Sequence, residues 1–275
     1  MTWRLLSGLM ALVLAACAGA PPAPLPPLKL QALEAETQGA RRFEQGRFEV
    51  AIAQFQEAQR LSRSLDDQVG LARNLEHQAR SELAAGLPQA AQATIASISV
   101  AQRSISTSLL LAQTALALPD LAAAQTVLQD LRARCQACPQ AAAVAVLQAR
   151  LALAQSQPDV AEKLLQPALK PLADQQEPRE LANAWRLLAQ AQGLQQRHAQ
   201  ALASAQQALS LDRALGLPDK IAADWQLMGQ LYAARQQAGD LEQARGAYAR
   251  AREVALAAHL HAMVAQIEQR LKEIP

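Results

Sequence analysis

Two cysteines spaced as Cys135-Gln136-Ala137-Cys138, with Pro139 behind them, form the grouping in the sequence with the most chemical potential. Such a pair can close a short structural disulfide, cycle as a dithiol, or supply half of a metal site. Each use makes a demand on its surroundings. Redox cycling calls for the first thiol at a helix N-terminus, where the dipole lowers its pKa. Here Leu128-Gln129-Asp130-Leu131-Arg132 precedes the pair as the end of a helical stretch, which is the opposite pole. A zinc site needs two further ligands, and no nearby His or Cys supplies them. The histidines are His77, His198, His259 and His261. None forms an HExxH pair, and His259 and His261 are expected on different faces of one helix. Glu34 and Glu36 could line a groove, but two carboxylates without a shaped cleft are poor grounds for hydrolysis. There is no nucleophile elbow, phosphate loop or GxGxxG. The residue pattern thus argues against an enzyme and implies no cofactor. A structural Cys135–Cys138 disulfide is the favoured reading, with redox cycling of the pair as the alternative.

The elements that would hold these residues are helical. Of 275 residues 51% are hydrophobic but only 3% aromatic, with Ala, Leu and Gln dominant and β-branched residues scarce. That balance disfavours a β-rich fold. No stretch reaches the roughly 18 apolar residues of a membrane-spanning helix. Basic and acidic residues number 26 and 24, for a net charge of +2, so nothing calls for a nucleic-acid partner.

The N-terminus carries a different signal. Arg4 and the α-amino group precede a run of mostly apolar residues from Leu5 to Ala16, the length and flanks of a secretory signal. The run ends in Leu14-Ala15-Ala16-Cys17, which resembles the lipobox of bacterial lipoproteins. The resemblance implies cleavage before Cys17, a lipid on its sulfur, and a membrane anchor. Ala18, where an inner-membrane retention signal would place Asp, implies the outer membrane with the folded part facing the periplasm. Export would also put Cys135 and Cys138 in an oxidising compartment. Pro21-Pro22-Ala23-Pro24-Leu25-Pro26-Pro27 follows, a stretch that favours polyproline II and a semi-rigid spacer. The expected organisation is a signal peptide over 1–16, lipidated Cys17 and tether over 17–27, and a helical domain over 28–275.

The helical part repeats. Its clearest unit is Trp225-x-x-Met228-Gly229-x-x-Tyr232, followed by Ala244, Tyr248 and Ala251. This resembles the tetratricopeptide repeat, in which small residues at positions eight and twenty let two helix backbones approach and large residues fill between hairpins. Gly239-Asp240 lies three residues late, which predicts a longer turn there. The position-eight residues are Gly39, Ala79, Ala112, Ala149, Ala189 and Gly229, at spacings of 40, 33, 37, 40 and 40. Position twenty carries Ala51, Ala91, Ala124, Ala161 and Ala201, then Ala244. Spacings of 40 exceed the usual 34, so each second helix is expected to extend by about a turn. The predicted fold is all-α, an α-α superhelix of about six such hairpins with a capping helix from about Ala258 to Ile274. Pro88, Pro119, Pro158, Pro167, Pro171, Pro178 and Pro218 are expected at helix ends. The aromatics sit mostly at packing positions and read as core.

In the repeat family, first-helix positions two, five, nine and twelve face a groove. Carried onto this chain, the resemblance implies a partner-binding face containing Arg73, Arg80, Arg150, Asn183, Arg186 and Gln190, together with Glu76, Gln113, Gln226 and Gln230. Arginine forks and amides suit peptide backbone and carboxylate. The expected function is a non-enzymatic, lipid-anchored scaffold or assembly adaptor that binds an envelope protein or peptide in its concave groove. The alternatives are an accessory to redox or cell-wall enzymes and a periplasmic solute- or glycan-binding protein.

Overall fold

The computed structural model describes residues 25–118 and 120–274. The expected signal peptide, Cys17 and the expected tether as far as Pro24 lie outside the described residues. Helix α1 (Pro27–Glu44) follows Pro26, whose φ of −56° and ψ of 144° are those of polyproline II. Then come α2 (Phe48–Ser64), α3 (Gln68–Ala84), α4 (Pro88–Ala96), a 3₁₀ turn (Val100–Gln102), α5 (Ile105–Ala117), α6 (Leu121–Arg134) and α7 (Ala141–Ala154). The chain ends with α8 (Pro158–Asp174), α9 (Pro178–Leu194), α10 (His198–Leu215), α11 (Pro218–Arg235), α12 (Asp240–Ala257) and α13 (His261–Glu273). Among the described residues there is no strand, and no helix is long and apolar enough to cross a membrane. The helices form six successive hairpins, α1–α2 to α11–α12, with α13 as a terminal helix. Packing divides the chain into two units, 1–78 and 79–275, with the boundary inside α3.

One turn recurs along the chain. After α1, α2, α3, α7, α8, α9, α10 and α12 a single residue enters the left-handed region: Gly46, Asp66, Gly86, Ser156, Gln176, Gln196, Gly216 and His259. In each case the next N–H reaches back to a carbonyl five residues earlier, as Arg197 does to Gln192 at 2.9 Å and Gln157 to Ala152 at 2.8 Å. This is the Schellman closure, which satisfies carbonyls that the helix end leaves open. Proline then starts α4, α8, α9 and α11, where its missing N–H costs nothing and its φ suits a first turn.

The packing positions follow the repeat. Ala51, Ala91, Ala124, Ala161, Ala201 and Ala244 are all fully buried, as are Ala79, Ala112, Ala149 and Ala189. A Cβ added to Gly229 would lie 2.8 Å from the Tyr248 ring, and one added to Gly39 would lie 2.7 Å from the Phe55 ring. Small residues are required because a ring of the second helix already fills the space a Cβ would need on the first. Where position eight is alanine the facing residue shrinks to Ile95, Leu128, Leu165 or Ala205, all of them buried. Volume is thus roughly conserved across the pair where the facing residue is Ile or Leu, while Ala189 with Ala205 is a smaller pair. In the first unit Phe55 is 1% exposed and stacks on His77, with ring centroids 5.2 Å apart. The second unit holds a chain of apolar clusters running from Ala79, Ala91, Ile95 and Leu110 to Trp225, Met228, Tyr248 and Ile267.

Four features depart from expectation. Pro167 and Pro171 lie inside α8 rather than at helix ends. Both are on its exposed side, so the carbonyls that lose a partner, those of Lys163 and Pro167, face water. The opposite face buries Ala161, Leu165, Ala168 and Leu172, which holds the helix together. Secondly, the extra length of the 40-residue repeats is shared between two helices. Helices α8 and α10 end three or four residues further past position twenty than α6 does, and α9 and α11 begin three residues further before position eight than α7 does. Thirdly, the terminal helix starts at His261, and His259 occupies the preceding turn at φ 57°, so the two histidines do not share a helix. The fourth concerns the late Gly239-Asp240: the longer turn is present, but α11 and the lead-in of α12 absorb part of the delay. Asp240 closes that turn by accepting two bonds from Arg235, at 2.9 and 2.6 Å, and one from the Gln237 N–H at 2.8 Å. The Arg235 guanidinium holds its carboxyl below the usual aspartate range.

Candidate functional site

Three first helices of the second unit, α7, α9 and α11, enclose an open cleft of about 600 Å³. Helix α7 contributes Arg150 and Leu153, α9 contributes Leu187 and Gln190, and α11 contributes Gln230 and Leu231. Gly193 forms part of the floor, where an added Cβ would meet only the end of the Leu231 side chain at 2.7 Å. On the rim Leu194 is 61% exposed, a large apolar side chain left on the surface. The walls are therefore leucine and the polar groups few, the usual make-up of a recognition cleft.

Arg150, Gln190 and Gln230 occupy position nine of three successive first helices, so a single repeat position writes a polar row across the cleft. All three are exposed, and none has a hydrogen-bond or ion-pair partner among the described residues. The surrounding walls hinder hydration of the Arg150 guanidinium, and this partial desolvation lowers its pKa. His198 at the start of α10 also borders the cleft, and its buried Nδ1 lacks a hydrogen-bond partner.

Positions two and five have a different fate. Arg186 is nearly buried, with its side chain 12% exposed. Its Nε donates to Asp224 Oδ1 at 2.6 Å, one terminal nitrogen donates to Asp212, and the other donates to Asn183 Oδ1 at 2.8 Å. Asp212 on α10 and Asp224 on α11 are 2% and 0% exposed in their side chains. One guanidinium thus joins three helices around two buried carboxylates, and Asp224 Oδ2 is left without a partner. Burial outweighs the attraction of Arg186, raising both carboxyls and pushing Asp224 up to about 7. Arg186 and Asn183, expected to face a partner, are consumed inside the fold. The reason is geometric: position five of one first helix meets position three of the next, and Asp224 stands there.

In the first unit position five again reaches the next first helix with the charge reversed, its main partner being position two. Glu36 on α1 accepts two bonds from Arg73 on α3, at 2.7 and 2.6 Å, and lies 3.4 Å from the Asn74 amide nitrogen. Lys29 pairs with Asp67, whose pKa is lowered first by that bond and then by the Gly70 N–H. Arg73 is accordingly a structural ion-pair residue here rather than a free groove residue. Arg80 is exposed and already engaged in an interaction of its own, so it too is not a free cation. Of the ten groove residues singled out from sequence, Arg150, Gln190 and Gln230 are the three that the structure brings together in this cleft. His198 and the leucine walls were missed. Their signal was present in the apolar residues of the first helices, but it is indistinguishable from core until the hairpins are packed.

Cys135 and Cys138 are disulfide-bonded, with Cα atoms 4.9 Å apart, in the connection between α6 and α7. Cys135 is the C-cap of α6 and only 4% exposed. It sits at the negative pole of that helix, which disfavours a thiolate. No group of three or more His, Cys, Asp or Glu suited to a metal ion occurs among the described residues.

Solved structures carry the same hairpin arrangement. A tetratricopeptide repeat protein from Parabacteroides merdae aligns over 89% of this chain and 93% of its own, at TM-score 0.52 and 12% identity. The fold is that of tetratricopeptide repeats. A higher TM-score, 0.69, is reached with the APC/C hetero-tetramer Cut9–Hcn1, at 16% identity over 86% of this chain and 43% of that one. This chain therefore spans less than half of that protein's length. The Rap protein in complex with competence and sporulation factor aligns at TM-score 0.64 and 12% identity, over 92% of this chain and 76% of that one. No protein-family model matches the sequence, and no curated protein matches it.

Proposed function

We propose that the protein is a non-enzymatic scaffold of the bacterial envelope, lipidated at Cys17, held at the outer membrane and facing the periplasm, which binds a partner protein or peptide. The observation that carries the binding part is the cleft across α7, α9 and α11, with its leucine walls and its row of unpartnered polar side chains. A fold built of stacked hairpins offers such surfaces without any catalytic apparatus. Two structures with this fold are complexes, Cut9 with Hcn1 and Rap with competence and sporulation factor, which supports the same use here. The anchor and the location rest on Leu14-Ala15-Ala16-Cys17 and Ala18.

A photo-crosslinking residue tests the binding surface in living cells. Placed at Gln190 it should give a few discrete adducts. Placed at Gln207, on the exposed side of α10, it should give none of these. Identical adduct patterns from both positions would refute the cleft as the binding surface.

A further inference from the structure

The cleft has a chemistry more specific than that of a general protein-binding face. Arg150 is a full positive charge in a cleft otherwise lined by leucine, alanine, glycine, two glutamines and His198, with no carboxylate among the lining residues. The buried and half-buried arginines described above have their carboxylates: Arg186 has Asp212 and Asp224, and Arg235 has Asp240. Apolar neighbours hinder hydration of the Arg150 guanidinium, which lowers its pKa, while the residue itself stays exposed to an incoming ligand. An incoming carboxylate would meet an accessible charge with no partner of its own, and charge-assisted bonds are stronger than neutral ones.

Gln190 and Gln230 continue the row. A glutamine amide both donates and accepts, which is the hydrogen-bonding pattern of a peptide unit. An extended chain has free backbone groups to match it, whereas a helix does not. Packed helices lie about 8–10 Å apart, so the row from Arg150 to Gln230 spans roughly 20 Å. That is the reach of about six extended residues. Between the polar groups, Leu153, Leu187 and Leu231 offer only apolar contact, with the end of the Leu231 side chain lying close over Gly193.

We propose that the cleft takes an extended segment of about six residues from a partner protein, with a carboxylate on Arg150 and aliphatic side chains against the leucine walls. The backbone of that segment bonds to Gln190 and Gln230. This rests on the function proposed above and adds the identity of the ligand class. The carboxylate has two sources, an Asp or Glu side chain or the end of a chain.

Selection of random twelve-residue peptides displayed on phage against the folded protein tests it, and requires no identified partner. The expected result is enrichment of sequences with Asp or Glu beside Leu, Ile or Val, and their loss when the bait is Leu194→Asp. An Arg150→Gln bait should lose the acidic preference, and Arg150→Lys should keep it, with circular dichroism confirming that both fold. A synthetic peptide of the selected sequence should bind roughly tenfold or more weakly after its acid is replaced by the amide. A version whose sole carboxylate is the chain end separates the two sources, since it should match the parent only if a terminus is the natural group. Enrichment of cleft-dependent sequences without acids, or an acidic preference that survives Arg150→Gln, overturns the assignment of the ligand while leaving the cleft as a binding site. Failure to enrich any sequence that Leu194→Asp displaces overturns both this inference and the proposed function.

Discussion

Replacing Arg186 by methionine keeps an unbranched apolar stem and removes the guanidinium with its charge. Three bonds are lost: to Asp224 at 2.6 Å, to Asn183 at 2.8 Å, and to Asp212. Two carboxylates whose side chains are 0% and 2% exposed then face each other with no cation between them. Breaking a buried ion pair from one side costs about 3–5 kcal/mol, because the remaining charge stays desolvated. A domain of ordinary stability has about 5–15 kcal/mol in total, so the loss is easily measured. The pH dependence has a definite sign. Asp224 is raised to about 7 in the folded protein from 3.8, so the folded state keeps a proton that the unfolded state releases. Stability therefore falls as pH rises from about 4 to about 7 and levels off above that. Removing Arg186 pushes both carboxyls higher still, so the methionine variant should be nearer to wild type at pH 5 than at pH 8. Urea unfolding followed by circular dichroism at pH 5, 7 and 8 measures each of these quantities. Adding Asp212→Asn and Asp224→Asn to Arg186→Met should recover more than half of the loss, since no buried charge remains. A variant that loses under 1 kcal/mol, with the same pH profile as wild type, would refute this account of the cluster.

Gly229→Leu should destabilise by about 1–3 kcal/mol through overpacking, because the Tyr248 ring already lies where the new Cβ must go; hydrogen exchange should show the damage in α11–α12 before α1–α2. Phe55→Ala should cost about 3–5 kcal/mol, and Trp185→Ala less because that ring is only partly buried, as thermal unfolding will show. Thiol alkylation of the purified protein should label neither Cys135 nor Cys138 until a reductant is added, after which two labels should appear. Cys17→Ser should move the protein from the membrane to the soluble fraction, and equal membrane retention would remove the proposed anchor.

Much of the hairpin architecture is legible in the chain because close helix crossings tolerate few residue types. Gly39, Gly229 and the alanines between them announce position eight, and the alanines of position twenty announce the facing helix. Even the fourth repeat, whose pattern is faint, has its register right, with Ala149, Ala161 and Leu165 fully buried. Pro167 and Pro171 misled because a proline in a sequence does not reveal whether its freed carbonyl will face water or core. The shared lengthening of neighbouring helices was equally hidden, since a spacing of 40 residues fixes a sum and not its division.

The candidate site divides along the same line. Local sequence determines which residues can lie on the inner face of a first helix, because helical periodicity and the small-residue positions settle that within one hairpin. It does not determine which of them remain free. Asp212 is 26 residues from Arg186 and Asp224 is 38, and only the stacking of one hairpin on the next brings the three within bonding distance. The same stacking turned Arg73 toward Glu36 and left Arg150 facing leucines and amides. Three arginines that look alike in the sequence became two structural ion pairs and one open charge. Tertiary packing made that choice because electrostatic pairing depends on distances across helices, and no periodicity along one helix encodes them.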